Sequence, residues 1–258
     1  MSRVDMNADL GEAYGCWRLG NDAAMMEIVT SANIACGGHA GDPETMYQAA
    51  LKARESNVVI GAHPGFDDKQ GFGRRRLPLT AGEIERLLAS QIGALIGAAA
   101  LAGAKVAYVK PHGALANWAA EDEAIAQANV NAIRAVSRDL AVLAISGSAF
   151  DTCARRNGLA AYSEIFADRA YDERGLLVPR SQPGAMITGE TEAAERLLRF
   201  FETGLMPTAG GGTVRLRADS ICIHGDTPNA HLTARALRDT LERNGITIAP
   251  FLGQGMSA

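Results

Sequence analysis

The sequence predicts an α/β fold of parallel strands closed into a seven-stranded (β/α)7 TIM-like barrel. Three observations predict it. A unit of strand, polar turn and helix recurs seven times along the 258 residues, close to the roughly 250 that one such barrel needs. Wholly apolar segments such as 140–145 (Leu-Ala-Val-Leu-Ala-Ile) demand burial on both faces, as in a parallel sheet covered by helices. Polar motifs follow at least six of the seven strands. In a barrel those ends share one mouth, whereas an open doubly wound sheet, the other closure that fits, concentrates its site at one switch point. The chain is therefore read as a single barrel domain over 1–258.

The elements follow in order. Residues 4–10 alternate apolar (Val4, Met6, Ala8, Leu10) with polar (Asp5, Asn7, Asp9), the pattern of a half-buried strand with three polar groups on one face. Such a face is expensive unless it is polar for a reason. Asn21 and Asp22 cap a helix expected to reach Thr30, and 31–36 is the second strand. Asp42-Pro43-Glu44 is a helix start, with a cap, a proline at the first helical position and an early acid. The third strand is 58–62. A long loop, 67–79, holds Arg74-Arg75-Arg76 and has the length of a lid or binding loop. Thr80-Ala81-Gly82-Glu83 has the form of a capping box, and a helix follows to about 102. Strands 106–110, 140–145 and 161–166 come next, with one helix over 120–139 and a short one through Arg156 between them. Residues 176–179 read as a small extra strand, 190–202 as a helix and Gly210-Gly211-Gly212 as a turn. The seventh strand is 220–223, after which Thr227 caps and Pro228 opens the last helix, and 246–250 is extended.

Composition narrows the function classes. The net charge is −4, which gives no basis for a nucleic-acid partner or an anionic membrane surface. The apolar run 92–102 is too short to span a bilayer. Cys16, Cys36, Cys153 and Cys222 form no CxxC pair, and Met1 to Asp5 contain no apolar signal core, so a reduced, cytoplasmic enzyme is expected. The sequence leaves self-association into a homo-oligomer open.

Four of the five histidines sit where a strand gives way to a Gly/Pro turn: Gly37-Gly38-His39, Ala62-His63-Pro64-Gly65, Lys110-Pro111-His112-Gly113 and Ile223-His224-Gly225-Asp226. A lone histidine there is usually a hydrogen-bonded structural group, but four at equivalent ends imply a shared site. If the ends converge, one cavity holds Asp9, Glu12, His39, His63, Lys110, His112, His224 and Asp226, joined by Glu164 and Asp168 from the sixth strand. His231, inside the last helix, is expected to be a helix-surface residue. Two chemistries use this equipment. Histidines can exchange protons at neutral pH while Lys110 and arginines stabilise developing negative charge. Alternatively, His with Asp or Glu forms a ligand set for a divalent metal that activates water. Spacing does not choose, because ligands on different strands carry no fixed interval. There is no HExxH, no GxxxxGK[ST] phosphate loop and no GxGxxG after a strand.

Several long motifs resemble one known family. They are Val4-Asp5-Met6-Asn7-Ala8-Asp9-Leu10-Gly11-Glu12, Asn33-Ile34-Ala35-Cys36-Gly37-Gly38-His39-Ala40-Gly41-Asp42, Gly61-Ala62-His63-Pro64-Gly65-Phe66-Asp67-Asp68, Gly71-Phe72-Gly73-Arg74-Arg75, Val109-Lys110-Pro111-His112-Gly113-Ala114-Leu115, Phe166-Ala167-Asp168-Arg169-Ala170-Tyr171, Leu177-Val178-Pro179-Arg180 and Cys222-Ile223-His224-Gly225-Asp226. Together they are similar to the LamB/YcsF family, the A subunit of bacterial ATP-dependent 5-oxoprolinase. The resemblance implies a barrel related to the glycoside hydrolase and deacetylase barrels. It also implies opening of 5-oxoproline to L-glutamate with ATP as co-substrate and B and C subunits as partners. With that reaction in view, the expected catalytic residues are Asp9, Glu12, Lys110, His112, His224 and Asp226, with His112 or His224 as base and Asp226 orienting it. Asn7, Arg74, Arg75, Glu164, Asp168 and Arg169 are the expected substrate contacts, and Asp9, His39 and His63 the expected metal ligands. The competing readings are a stand-alone metal-dependent deacetylase or amidohydrolase, and a regulatory subunit without catalytic function.

Overall fold

The computed structural model describes residues 2–187, 189–224 and 229–253. Its elements are β1 (Arg3–Leu10), α1 (Asp22–Met26), β2 (Ser31–Ala35), α2 (Pro43–Glu55), β3 (Val59–His63), α3 (Ala81–Leu101), β4 (Val106–Val109), α4 (Gly113–Glu121), α5 (Glu123–Val136), β5 (Ala141–Ile145), α6 (Ala149–Arg156), β6 (Ala161–Phe166), α7 (Glu190–Thr203), β7 (Leu205–Pro207), β8 (Thr213–Arg215), β9 (Ser220–Ile223), α8 (Ala230–Arg243) and β10 (Thr247–Ile248). Strands β1 to β6 pair in sequence and in parallel, and β9 closes the ring between β6 and β1, with Glu164 opposite Ser220 and Asn7 opposite Cys222. The result is a closed seven-stranded parallel barrel, as expected. β10 adds two residues beside the start of β1, and β7 and β8 form an antiparallel hairpin outside the barrel.

The alternation of β1 decides what the barrel contains. Val4, Met6, Ala8 and Leu10 join the apolar layer under the helices. Asp5, Asn7 and Asp9 are also buried, because the opposite face of the strand is the barrel interior. The expected half-buried strand is thus buried on both faces, and the interior is polar. Asn33 donates to the Asn7 Oδ1 at 2.7 Å and to Asp9 Oδ1 at 2.8 Å, and Tyr108 donates its hydroxyl to Asn33 at 2.6 Å. Asn7 donates to Glu164 at 2.9 Å and to Ser220 at 2.7 Å. Buried amides and hydroxyls are tolerable here because each has a partner. The Tyr108 ring fills the interior against β3, where a Cβ on Gly61 would lie 2.2 Å from it.

At the lower end Asp5 accepts from Ser31 and Thr30, each at 2.6 Å, and from Ser220. Burial nevertheless pushes its carboxyl up from 3.8 to about 6, the hydroxyl donors offsetting only part of the penalty. A raised carboxyl destabilises the fold above its folded-state value, and the penalty is relieved as pH falls towards the unfolded-state value. Between about pH 7.5 and 5 the folded chain takes up a proton that the unfolded chain does not, so this group should add about 1 kcal/mol of stability. Denaturant midpoints for the wild type and Asp5→Asn at both pH values should show that increment in the wild type and its loss in the variant.

Two helices depart from expectation at their ends. The helix expected over 120–139 is two, α4 and α5, because Asp122 accepts from Ala124 and Ile125 N–H at 2.9 and 3.2 Å and starts a new helix. α1 stops at Met26, short of Thr30, whose hydroxyl is committed to Asp5. No strand forms at 176–179; Leu177 makes only an isolated bridge to Tyr171. The residues expected to start the last helix, Thr227 and Pro228, lie outside the described residues. α3, at 21 residues and mean hydropathy 1.4, has the length and composition to cross a bilayer, more than the run 92–102 suggested. Here it buries Ile84, Leu88, Ile92, Leu95 and Ala99 and packs on α2 and α5.

Candidate active site

The C-terminal strand ends converge, as the barrel requires. A cavity of about 300 Å³ opens there, lined by Asp9, His63, Lys110, His112, Glu164 and His224 below and by Arg74, Arg169 and Arg180 around the rim. The apolar parts of the wall include Leu143, Ile145, Phe150 and Phe166, with Asn117 and Ser148 among them.

Lys110 is the hub. It follows β4 directly, and Pro111 ends the strand. Its ammonium donates to Asp9 Oδ1 at 2.7 Å and to Cys222 Sγ at 3.1 Å, and stands 3.2 Å from Glu164 Oε1. Burial alone would lower Lys110, but Asp9, Cys222 and Glu164 carry it well above its ordinary value. The two carboxylates divide unequally. Burial pushes Asp9 up, yet His63 and Lys110 outweigh it and hold the carboxyl well below the usual range. Burial dominates at Glu164 and raises it, with Lys110 opposing and Asp9 reinforcing. Glu164 is therefore the carboxyl that keeps a proton more readily.

His63, His112 and His39 form a packed group beside the hub. His63 Nδ1 donates to the Lys110 carbonyl at 2.7 Å, while its Nε2 lies 3.3 Å from Asp9 Oδ2 and 3.0 Å from His112 Nδ1. His112 Nε2 donates to the Phe72 carbonyl at 2.8 Å. The His39 and His112 rings stack at 3.6 Å, and His39 Nε2 faces Glu12 Oε1 at 3.2 Å. Burial first, then neighbouring imidazoles, holds both His39 and His112 well below the ordinary histidine value. The loop after β3 clasps this group. Phe72 takes φ 53° and contacts both rings edge-on at 5.4 Å. A left-handed conformation at an aromatic residue is strained, which marks the contact as held by its surroundings. Gly73 follows with φ 61°, where a Cβ would stand 2.7 Å from His39 Cβ.

His224 belongs to the other wall. Its Nδ1 donates to Asp168 Oδ2 at 2.7 Å, and its ring stacks on Phe166 at 5.8 Å. Burial raises Asp168, but His224, its hydrogen bond, and Arg180 and Arg169 together hold it below the ordinary value. Arg169 is buried, donates to the Val178 carbonyl at 2.6 Å, and is lowered to about 10 by burial and by Arg180.

The structure thus brings Asp9, Lys110, His112, His224, Glu164, Arg74 and Arg169 to one cavity. Asn7 lies beneath it, gripping Glu164 rather than lining the wall. Glu12 and His39 stand behind His112. Arg75 turns away: its side chain is 62% exposed and pairs with Asp68. Arg76 lies over the Trp118 ring at 3.5 Å, so of the three successive arginines only Arg74 reaches the cavity. Asp226 lies outside the described residues, and the carboxylate found on His224 is Asp168. His231 is half-buried on α8 and takes no part in the lining. Of the expected metal set, the donor atoms of His39 and His63 gather with Glu12 and His112, all within 4.8 Å, while Asp9 holds Lys110 through Oδ1, keeps Oδ2 3.3 Å from His63 Nε2 and groups with Cys222 and His224. Arg180 and Asn117 were not expected at the site. Arg180 ends one of the family-like motifs and was within reach of the sequence; Asn117 sits on α4, a helix the sequence did not announce.

Known proteins match over the same span. The model of the LamB/YcsF family matches residues 4–255. A protein of Rhodopseudomonas palustris (strain ATCC BAA-98 / CGA009) named as the A subunit of 5-oxoprolinase is 50% identical over 252 residues, 97% of this chain and 99% of that one. Its namesake from Azorhizobium caulinodans is 51% identical over 251 residues, with the same coverage. Among solved structures, the lactam utilization protein from Thermus thermophilus superposes with a TM-score of 0.89 at 42% identity, covering 96% of this chain and 99% of that one. A putative cellobiose-phosphate cleavage protein from Enterococcus faecalis shares the fold at a TM-score of 0.56 and 14% identity. The motifs at the strand ends, the barrel they close and these matches agree that the chain belongs to the LamB/YcsF family.

Proposed function

We propose that this chain works as the A subunit of 5-oxoprolinase, opening the lactam ring of 5-oxoproline to L-glutamate with ATP hydrolysis, in a complex with B and C subunits. The observation that carries the reading is the cavity itself, with guanidiniums at its rim and a buried lysine, two carboxyls and a base at its floor. A five-membered lactam is a stable amide that water attacks poorly. Phosphorylation of the amide oxygen by ATP makes the ring carbon electrophilic. Water then adds to that carbon, the ring C–N bond breaks as the nitrogen takes a proton, and a second water cleaves the acyl phosphate so formed to the carboxylate and phosphate. The rim arginines Arg74 and Arg169 suit an anionic carboxylate or phosphate, which they bind as planar forks. Asp168 fixes the proton of His224 on Nδ1, which leaves Nε2 to accept a proton from water. Lys110 supplies positive charge where negative charge develops, and Glu164, the raised carboxyl beside it, gives a proton to the departing nitrogen.

The test is reconstitution. The chain, its B and C partners, ATP and 5-oxoproline are mixed, and glutamate is measured with each component omitted in turn. Glutamate should form only in the complete mixture. Turnover without this chain, or ATP-independent turnover by this chain alone that a chelator removes, would overturn the reading, the latter in favour of a stand-alone amidohydrolase.

A further inference from the structure

The hydrogen bonds of His63 and His112 contain a conflict. His63 Nδ1 faces the Lys110 carbonyl at 2.7 Å, and His112 Nε2 faces the Phe72 carbonyl at 2.8 Å. A carbonyl only accepts, so both nitrogens carry their ring's proton. Neutral rings then present bare lone pairs on His63 Nε2 and His112 Nδ1, and these nitrogens are 3.0 Å apart. Two lone pairs at that distance repel. Something positive must sit between them, either a proton that makes one ring an imidazolium or a metal cation.

Asp9 Oδ2, 3.3 Å from His63 Nε2, suits the proton on that side, and the donors gathered on the other side suit a metal. Glu12 Oε1 lies 4.0 Å from His112 Nδ1 and 3.2 Å from His39 Nε2, and the donor atoms of Glu12, His39, His63 and His112 all lie within 4.8 Å of one another. Donors about 2.0–2.1 Å from a tetrahedral ion stand roughly 3.3 Å apart, within the range of these separations. All four residues are buried, and His39 Nδ1 has no hydrogen-bond partner, so this ring can exchange the proton it gives Glu12 without losing a second bond. The His39 and His112 rings lie nearly parallel at 3.6 Å, so their nitrogens converge on one ion only when one ring tilts.

We propose that Glu12, His39, His63 and His112 form a binding site for one divalent transition-metal ion of the zinc, cobalt or manganese type, distinct from the lysine-bound Asp9. Three imidazoles and one carboxylate are the borderline donor set such ions take. Because His63 and His112 also line the cavity, the ion would place Lewis acidity at its edge.

The test reads metal rather than turnover, so it stands apart from the lactam assignment. The purified full-length chain is stripped with chelator and titrated with cobalt(II), following visible absorption, and the bound metal of the untreated chain is measured by elemental analysis. One equivalent of metal and ligand-field bands saturating at one cobalt per chain are expected. His39→Ala and Glu12→Gln, each checked for folding by circular dichroism, should weaken cobalt binding more than about a hundredfold, beyond the usual effect of losing an outer-shell contact. Asp9→Asn, which removes a carboxylate 3.3 Å from His63 Nε2 but no proposed ligand, should weaken it less than either. Absence of bands and of stoichiometric metal in the folded wild type overturns the proposal and leaves a shared proton between the rings. Loss of cobalt in Asp9→Asn with retention in Glu12→Gln overturns this ligand set.

Discussion

Lys110→Met should remove turnover by about 10²–10³-fold or more and cost about 3–5 kcal/mol of stability, the largest combined effect expected of a single substitution here. The two losses have different origins. Catalytically, the ammonium is the one buried cation at the cavity floor among the described residues, and the charge it would meet in the transition state has no substitute. Structurally, Asp9 and Glu164 flank the same ammonium at 2.7 and 3.2 Å. Removing it leaves two carboxyls facing each other in the barrel interior, and the cost of an uncompensated buried charge exceeds the net worth of the pair it belonged to. Glu164, already raised, should take a proton outright, whereas Asp9 keeps a partner in His63 at 3.3 Å. The separation can be measured. Lys110→Met combined with Asp9→Asn should recover part of the stability in denaturant titrations and none of the glutamate formation. Recovery of activity in the double variant would show that Lys110 merely neutralises Asp9.

How far the residues announced this arrangement depended on the kind of constraint involved. Strand ends were legible because Pro111, Gly65 and Gly37 stop strands for local reasons, and the barrel brings all such ends together whatever their spacing. The polar face of β1 was legible as an anomaly, but only closure of the ring turned it from a solvated face into an interior. Pairings set by closure were not legible. His224 and Asp168 are 56 residues apart and meet because β9 lies beside β6, a pairing the local sequence does not show; the carboxylate it offers nearby, Asp226, lies outside the described residues. Which of three successive arginines enters the cavity was equally hidden, because an irregular loop has no period to fix side-chain direction; Asp68 captures Arg75 and Trp118 captures Arg76. The histidine group shows the same limit. Four histidines look equivalent along the chain, yet three pack together and the fourth, His224, faces a different carboxylate.

That division of the histidines makes Asp168→Asn the sharpest test of which imidazole handles the proton. Asp168 Oδ2 accepts from His224 Nδ1 at 2.7 Å, and this bond is what leaves Nε2 free of a proton. An asparagine in its place keeps the shape, but its amide group can equally donate to Nδ1 and shift the ring proton to Nε2, the wrong side for a base. Glutamate formation by the reconstituted complex should fall by about 10²–10⁴-fold, the usual contribution of a positioned general base. His224→Gln should fall as far, and the double variant no further, because both single changes remove the same proton acceptor. Stability should change far less than for Lys110, since His224 and Asp168 side chains retain 12% and 24% exposure and water can reach what the substitution leaves unpaired. If Asp168→Asn retains turnover while His112→Ala abolishes it with folding intact, the base is His112. The Nε2 of that ring is already committed to the Phe72 carbonyl, so its Nδ1 would have to be the accepting atom, which sets His63 and His112 in direct competition for one proton.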